Sequence, residues 1–175
     1  MSAAERVLER SVEMAKKEKK IKTNAIRMVE QAGIAYEEYT YEVKGEFTDG
    51  ISSAHKIGLP EETVFKTLVL VGTDKQYMVC VIPVAEELDL KKAARHFKEK
   101  KLEMIHVKDI NKVTGYIRGG CSPVGMKKPY PTAIDETALL YDKIGVSGGR
   151  IGLTICLDPK ELAGLVHAEF TSLTK

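Results

Sequence analysis

The sequence predicts a single α/β (α+β) domain built around a mixed, largely antiparallel sheet. Three observations carry this expectation. Two long apolar runs, 64–71 and 77–83, are separated only by Gly72-Thr73-Asp74-Lys75-Gln76, which is turn chemistry, so they pair as a hairpin. Further short apolar segments bounded by glycine, proline or aspartate supply more strands. Helical patterns interrupt them without the regular alternation that a doubly wound sheet requires.

The elements follow in order. Residues 1–20 are mostly charged, with a thin apolar stripe at Val7, Leu8 and Met14, and read as a helical extension of a domain over 21–175. Thr23 is a good N-cap for a helix over 24–32, and Gly33 suits its end. A strand at 35–41, a loop over 45–50 and a short helix at 51–57 closed by Gly58 come next. The hairpin is expected to be buried on both faces. Asp89 caps a helix over 90–99 whose apolar side is Leu90, Ala93, Ala94 and Phe97. A strand near 103–107 and a helical turn over 108–113 follow, then strands at 115–118, 132–135, 144–147 and 151–157, the last two joined across Gly148-Gly149. Asp158-Pro159-Lys160-Glu161 combines an N-cap, a first-turn proline and a glutamate three residues on from the cap, and starts a final helix over 159–167.

Composition excludes several classes. The chain has 175 residues, enough for one packed core, with 43% hydrophobic and 30% charged residues. No apolar run approaches the roughly 20 residues that span a bilayer. The charged N-terminus lacks a signal-peptide core, and cysteines at 80, 121 and 156 make no disulfide framework, so a reducing cytoplasm is expected. Neither those cysteines nor His55, His96, His106 and His167 show metal-ligand spacing, and no metal or cofactor is expected. A net charge of +2 is far below that of an autonomous nucleic-acid binder. Basic residues cluster at 16–22, at 91–101 and at Lys127-Lys128, and the last pair directly follows a glycine loop.

Candidate chemistry gathers at three places. Lys66 is a lone cation in Val64-Phe65-Lys66-Thr67-Leu68-Val69-Leu70-Val71, where an ammonium is costly unless it meets a partner, snorkels to water or opens into a cleft. Gly119-Gly120-Cys121-Ser122-Pro123-Val124-Gly125 and Ser147-Gly148-Gly149-Arg150 pair glycines on separate loops, which suits either tight turns or close approach of amides to an anion or carbonyl oxygen. Cys121 looks like a catalytic thiol, yet a free cysteine more often acts as a small buried hydrophobe. Ser122 has no His or Asp placed by sequence to activate it, so a hydrogen-bonding role fits better than a nucleophilic one.

These motifs, with Phe65-Lys66-Thr67-Leu68 and Pro131-Thr132-Ala133-Ile134-Asp135, resemble the YbaK-type aminoacyl-tRNA deacylases from about residue 22 to residue 172. The resemblance implies a curved mixed sheet approaching a barrel, ringed by helices. It places Lys66 in the substrate pocket as the catalytic residue. It implies that Tyr41, Phe47, Gly119, Gly120, Ser122, Pro123, Gly125, Asp135, Ser147, Gly148 and Gly149 bind substrate, Asp135 orienting Lys66 or a ribose hydroxyl. A plain helix cap for 136–142 is the alternative for Asp135. The implied activity is removal of a mismatched amino acid, preferentially cysteine on tRNA(Pro), from the tRNA 3′ end, with the substrate's own thiol attacking its ester and prolyl-tRNA synthetase as partner. A sibling deacylase clearing alanine or serine with water, and a non-catalytic aminoacyl-tRNA or synthetase-binding module, remain the alternatives.

Overall fold

The computed structural model describes residues 2–3, 22–42 and 50–175. Most of the N-terminal extension, together with Phe47 and Thr48, therefore lies outside the described residues. In chain order the elements are α1 (Asn24–Gln31), β1 (Tyr36–Thr40), α2 (Gly50–Ile57), β2 (Phe65–Gly72), β3 (Tyr77–Pro83), α3 (Leu90–Phe97) and β4 (Leu102–Met104). They continue with α4 (Ile110–Thr114), β5 (Thr132–Asp135), β6 (Ile144–Ser147), β7 (Leu153–Leu157), α5 (Pro159–Val166) and β8 (Glu169–Thr171).

The expected hairpin is the centre of a five-stranded mixed sheet ordered β4-β2-β3-β5-β8, with Phe65 opposite Pro83 and Val71 opposite Tyr77. β5 runs parallel to both β3 and β8. The remaining strands form an antiparallel sheet ordered β1-β7-β6. A parallel bridge between Val64 and Gly145 ties the two sheets together without closing them into a barrel.

Strand alternation explains the layering. Val79 and Val81 of β3 face a core shared with Ile144, Val146, Ile155 and Leu157 of the smaller sheet, and with Ile26 and Val29 of α1. Met78, Cys80 and Ile82 face the other way, against Ala93 and Ala94 of α3 and Leu173. β3 is thus buried on both faces, as its unbroken apolar run predicts. β2 is less completely covered, and its intermediate residues are Lys66, Thr67, Leu68 and Val71.

The helix caps follow the sequence signals. Thr23 Oγ1 accepts from Ile26 N at 3.2 Å, Asp89 Oδ1 from Lys91 N and Lys92 N at 3.0 and 3.2 Å, and Asp158 Oδ1 from Lys160 N at 2.7 Å. Two expectations are corrected. Residues 115–118 form no strand: Gly115, at φ +86°, ends α4, and Tyr116 then turns inward to donate its hydroxyl to Val124 O at 2.6 Å. β8 had not been expected, because three residues carry little periodicity and its pairing partner is distant in sequence.

Candidate active site

β4 pairs only with Leu70–Gly72, and the last link on that edge is Ile105 N donating to Val69 O at 3.0 Å. At its other end β2 meets β6 through the Val64–Gly145 bridge. Between these two points the edge of β2 has no strand beside it among the described residues, and a cavity of about 410 Å³ lies along it. This size falls within the ordinary range for small-molecule sites.

Phe65, Lys66, Thr67, Leu68 and Val69 form the β2 wall. The ammonium of Lys66 makes no salt bridge among the described residues. Its pKa lies below the usual lysine value because burial disfavours the charge, an effect opposed by the fields of Glu87 and Glu86. Next to it, Thr67 Oγ1 is buried without a hydrogen-bond partner, the one such side-chain atom among the described residues. A buried hydroxyl left unsatisfied costs about 1–3 kcal/mol.

Opposite stand Val146 and Ser147 of β6 and Thr154 of β7. Met104, Ile105, Val107 and Ile110 make an apolar ledge, on which Met104 and Val107 are exposed. Gly119, Cys121 and a second cation, Arg118, come from the first glycine loop and the residue before it. Tyr41 closes the rim. Its backbone is fixed by Tyr41 N donating to Gly152 O at 3.0 Å, and its hydroxyl accepts from Ser53 Oγ at 3.0 Å. Lysine, arginine and hydroxyls line the cavity, and no Asp, Glu or His does so among the described residues. Such a site suits a ligand bearing carbonyl or phosphate oxygens.

Of the residues expected in the site, Lys66, Tyr41, Gly119 and Ser147 line the cavity. Gly120, Ser122, Pro123, Gly125, Asp135, Gly148 and Gly149 do not. They hold its frame. A Cβ on Gly120 would lie 2.9 Å from the Cα and carbonyl carbon of Arg150, so the two glycine loops are packed backbone to backbone. On Gly148 it would meet Leu153 Cγ at 2.6 Å, and on Gly125 the Tyr116 hydroxyl at 2.8 Å. The α1 N-terminus buckles both loops: Thr23 Oγ1 donates to Gly148 O, and Asn24 Nδ2 donates to Gly125 O at 3.1 Å. Ser122 is fully buried and its Oγ accepts from Val124 N at 3.2 Å.

Asp135 is likewise consumed by structure. Its carboxylate caps the 3₁₀ turn Glu136–Leu140 through Thr137 N at 3.2 Å and accepts from Thr137 Oγ1 at 2.6 Å. The other oxygen accepts from Leu173 N at 2.9 Å and anchors the C-terminal segment. Cys121 lies in the cavity wall, but burial pushes its thiol up to about 11, against a smaller lowering by a Thr114 hydrogen bond. A thiol so poised is protonated near neutral pH and is a poor nucleophile.

The sequence profile of the aminoacyl-tRNA editing domain matches residues 49–165, which span β2, the loops and every cavity wall except Tyr41. The chain belongs to the aminoacyl-tRNA editing family. An Enterococcus faecalis protein, EbsC, named as a candidate Cys-tRNA(Pro)/Cys-tRNA(Cys) deacylase, is 46% identical over 161 residues, 92% of this chain and 98% of its own. A solved structure described as a candidate trans-editing enzyme for prolyl-tRNA synthetase superposes with TM-score 0.74 at 25% identity, covering 89% of this chain and 99% of that one. A hypothetical protein superposes with TM-score 0.79 at 19% identity over 87% of this chain and 100% of its own, and shows the fold alone. The editing domain here carries Thr67, Arg118 and the apolar ledge as cavity residues that sequence reasoning missed.

Proposed function

We propose that this editing domain is a trans-acting deacylase that releases a mismatched amino acid, preferentially cysteine on tRNA(Pro), from the terminal adenosine of tRNA in the cytoplasm. The observation that carries the mechanism is a cavity with two cations and several hydroxyls but no carboxylate or imidazole among its described walls. With Cys121 held protonated, the nucleophile is assigned to the substrate. The cysteinyl sulfur attacks its own ester carbonyl carbon. The carbonyl–ribose oxygen bond then breaks, the thiol proton passes to the ribose oxygen, and a cyclic thiolactone leaves the tRNA.

In this reading the protein orients and stabilises. Lys66 faces the carbonyl oxygen where negative charge develops, a type of contribution commonly worth about 10²–10³ in rate. Thr67 Oγ1 supplies an unused hydrogen bond to the aminoacyl ester, and Arg118 faces the terminal phosphate. The ledge of Met104 and Val107 receives the adenine. Gly120, Ser122, Asp135, Gly148 and Gly149 act on substrate indirectly, by fixing the loops and strands that carry Gly119, Cys121 and Ser147. Holding sulfur and carbonyl in near-attack geometry supplies the remaining advantage.

Deacylation of a panel of charged tRNAs tests the proposal, with prolyl-tRNA synthetase present and absent. Cysteinyl-tRNA should be cleared fastest, with the synthetase enhancing selection of tRNA(Pro), and mass spectrometry should detect a thiolactone before free cysteine. Equal turnover of alanyl- or seryl-tRNA would instead favour a water nucleophile, held between Thr67 Oγ1 and the cavity's other hydroxyls.

A further inference from the structure

A second cavity, of about 200 Å³, lies at the other end of the first glycine loop. The loop joins the two: Gly119 and Cys121 line the first, whereas Pro123 and Gly125 line the second. Buried Thr114 stands between them. Its side chain hydrogen-bonds Cys121 in the wall of the first cavity, and its carbonyl accepts from Lys127 N, at the second, at 3.2 Å. The Lys127 stem lies over Gly115, where a Cβ would meet its Cγ at 3.4 Å.

The chemistry of this second cavity is specific. Met28, Met126, Pro129 and Val166 give it apolar walls, Tyr130, Thr132 and His167 add polar groups, and Lys127 and Lys128 line it with positive charge. No acidic residue lines it among the described residues. Lys22, Lys101, Lys112, Lys143 and Lys175 each hold a carboxylate, but Lys127 and Lys128 hold none among the described residues. A volume below the roughly 300–1,000 Å³ of typical ligand pockets suits one flat group rather than a whole cofactor. A flat apolar body with an attached anion is a nucleotide. Polarisable methionines pack against a base face, and ammonium groups meet the phosphate.

We propose that this cavity seats the nucleotide that precedes the terminal adenosine on the tRNA acceptor strand, with Lys127 and Lys128 on its phosphates. The inference rests on the deacylase reading above. An acceptor strand leaving the first cavity along the shared loop meets the second at the loop's other end, which gives the enzyme a grip on tRNA that its small net charge does not supply.

The test compares Lys127→Ala/Lys128→Ala with the unaltered protein on two substrates, cysteinyl-tRNA and the truncated ester cysteinyl-adenosine. For cysteinyl-tRNA, KM should rise about tenfold with kcat little changed, and the slope of log KM against log salt should fall by about 1–2. Cysteinyl-adenosine should be cleaved equally by both proteins. A fluorescent single-stranded RNA ending CCA should bind the variant about tenfold more weakly, while adenosine, which lacks the phosphate that the two lysines would hold, should bind both alike. Equal losses on both substrates, or no loss on tRNA, would overturn the proposal. So would a loss seen only with prolyl-tRNA synthetase present, which would mark a protein-docking surface. If the unaltered protein cleaves neither substrate, the deacylase reading falls, while the RNA and adenosine binding arm still decides whether the cavity holds a nucleotide.

Discussion

The open edge of β2 and the two glycine loops both look like ligand-binding elements, and the structure gives them different work. The edge lines the cavity with residues from Phe65 to Val69 of a regular strand, Lys66 and Thr67 standing on its opposite faces. The loops contribute Gly119, Cys121 and Ser147, and spend their other glycines on contact with each other and with α1. A glycine pair signals close approach of backbone, but the approaching partner is as readily another loop as a ligand. A lone charge in an apolar strand is more discriminating, because few environments tolerate it.

The sharpest way to break this comparison is to remove the charge on the edge. Lys66→Ala should lower kcat/KM by at least about a hundredfold, with a melting temperature near that of the unaltered protein, because an unpaired half-buried ammonium contributes little to stability. Unfolding of the variant, or wild-type turnover, would move Lys66 to the structural side. Single-turnover deacylation alongside a thermal melt reads both quantities.

Gly120→Ala should show the opposite signature. Its added carbon would sit 2.9 Å from the Arg150 backbone, which cannot rotate away, so a loss of about 1–3 kcal/mol in stability is expected. Activity should fall with it, since the loops that carry Gly119 and Ser147 would part. Gly164→Ala in α5 is the control: nothing lies within 4 Å of its added carbon, and a helical alanine should stabilise by roughly 0.5–1 kcal/mol. Equal effects at the two positions, measured by urea denaturation, would refute the packing argument.

Asp135→Asn asks whether a conspicuous acid at a strand end belongs to site or scaffold. The amide keeps one acceptor for three donors, so stability should drop by about 1–3 kcal/mol. Turnover per folded molecule should hold within a few fold. A variant that melts normally but loses catalysis would return Asp135 to the site.

The same contrast explains how much was legible in advance. Lys66 was visible because its charge violates the local pattern, and the helix caps because their signals span four residues. The role of Thr67 was not visible, since a β-branched residue is at home in any strand. Its unsatisfied hydroxyl is a property of the tertiary packing around it, which no local pattern encodes. Arg118 was hidden inside a stretch read as a strand, because the apolar character of Tyr116 and Ile117 serves packing and exposure in a turn instead. The glycines were located correctly as special, while their partners could be known only from tertiary contact.

The smallest expected effect concerns Cys121, which sits where loop meets cavity. If catalysis uses the substrate's sulfur, Cys121→Ala should retain activity within about twofold, and the wild-type rate should rise with pH as a substrate thiol of pKa about 8.5 ionises. The enzyme's own thiols set a ceiling on that rise. Burial holds Cys121 and Cys156 at about 11 and Cys80 at about 12, whereas the unfolded chain ionises its thiols near 8.5. The folded state therefore binds more protons in the window above 8.5, so the stability these thiols contribute is full below it and declines as pH climbs toward their folded values. Melting temperature should fall from pH 8.5 upward, and Cys121→Ala should make that fall shallower. A variant inactive at every pH, together with an acyl group trapped on the wild-type thiol, would make Cys121 the nucleophile and shift the chemistry from the strand edge to the loop.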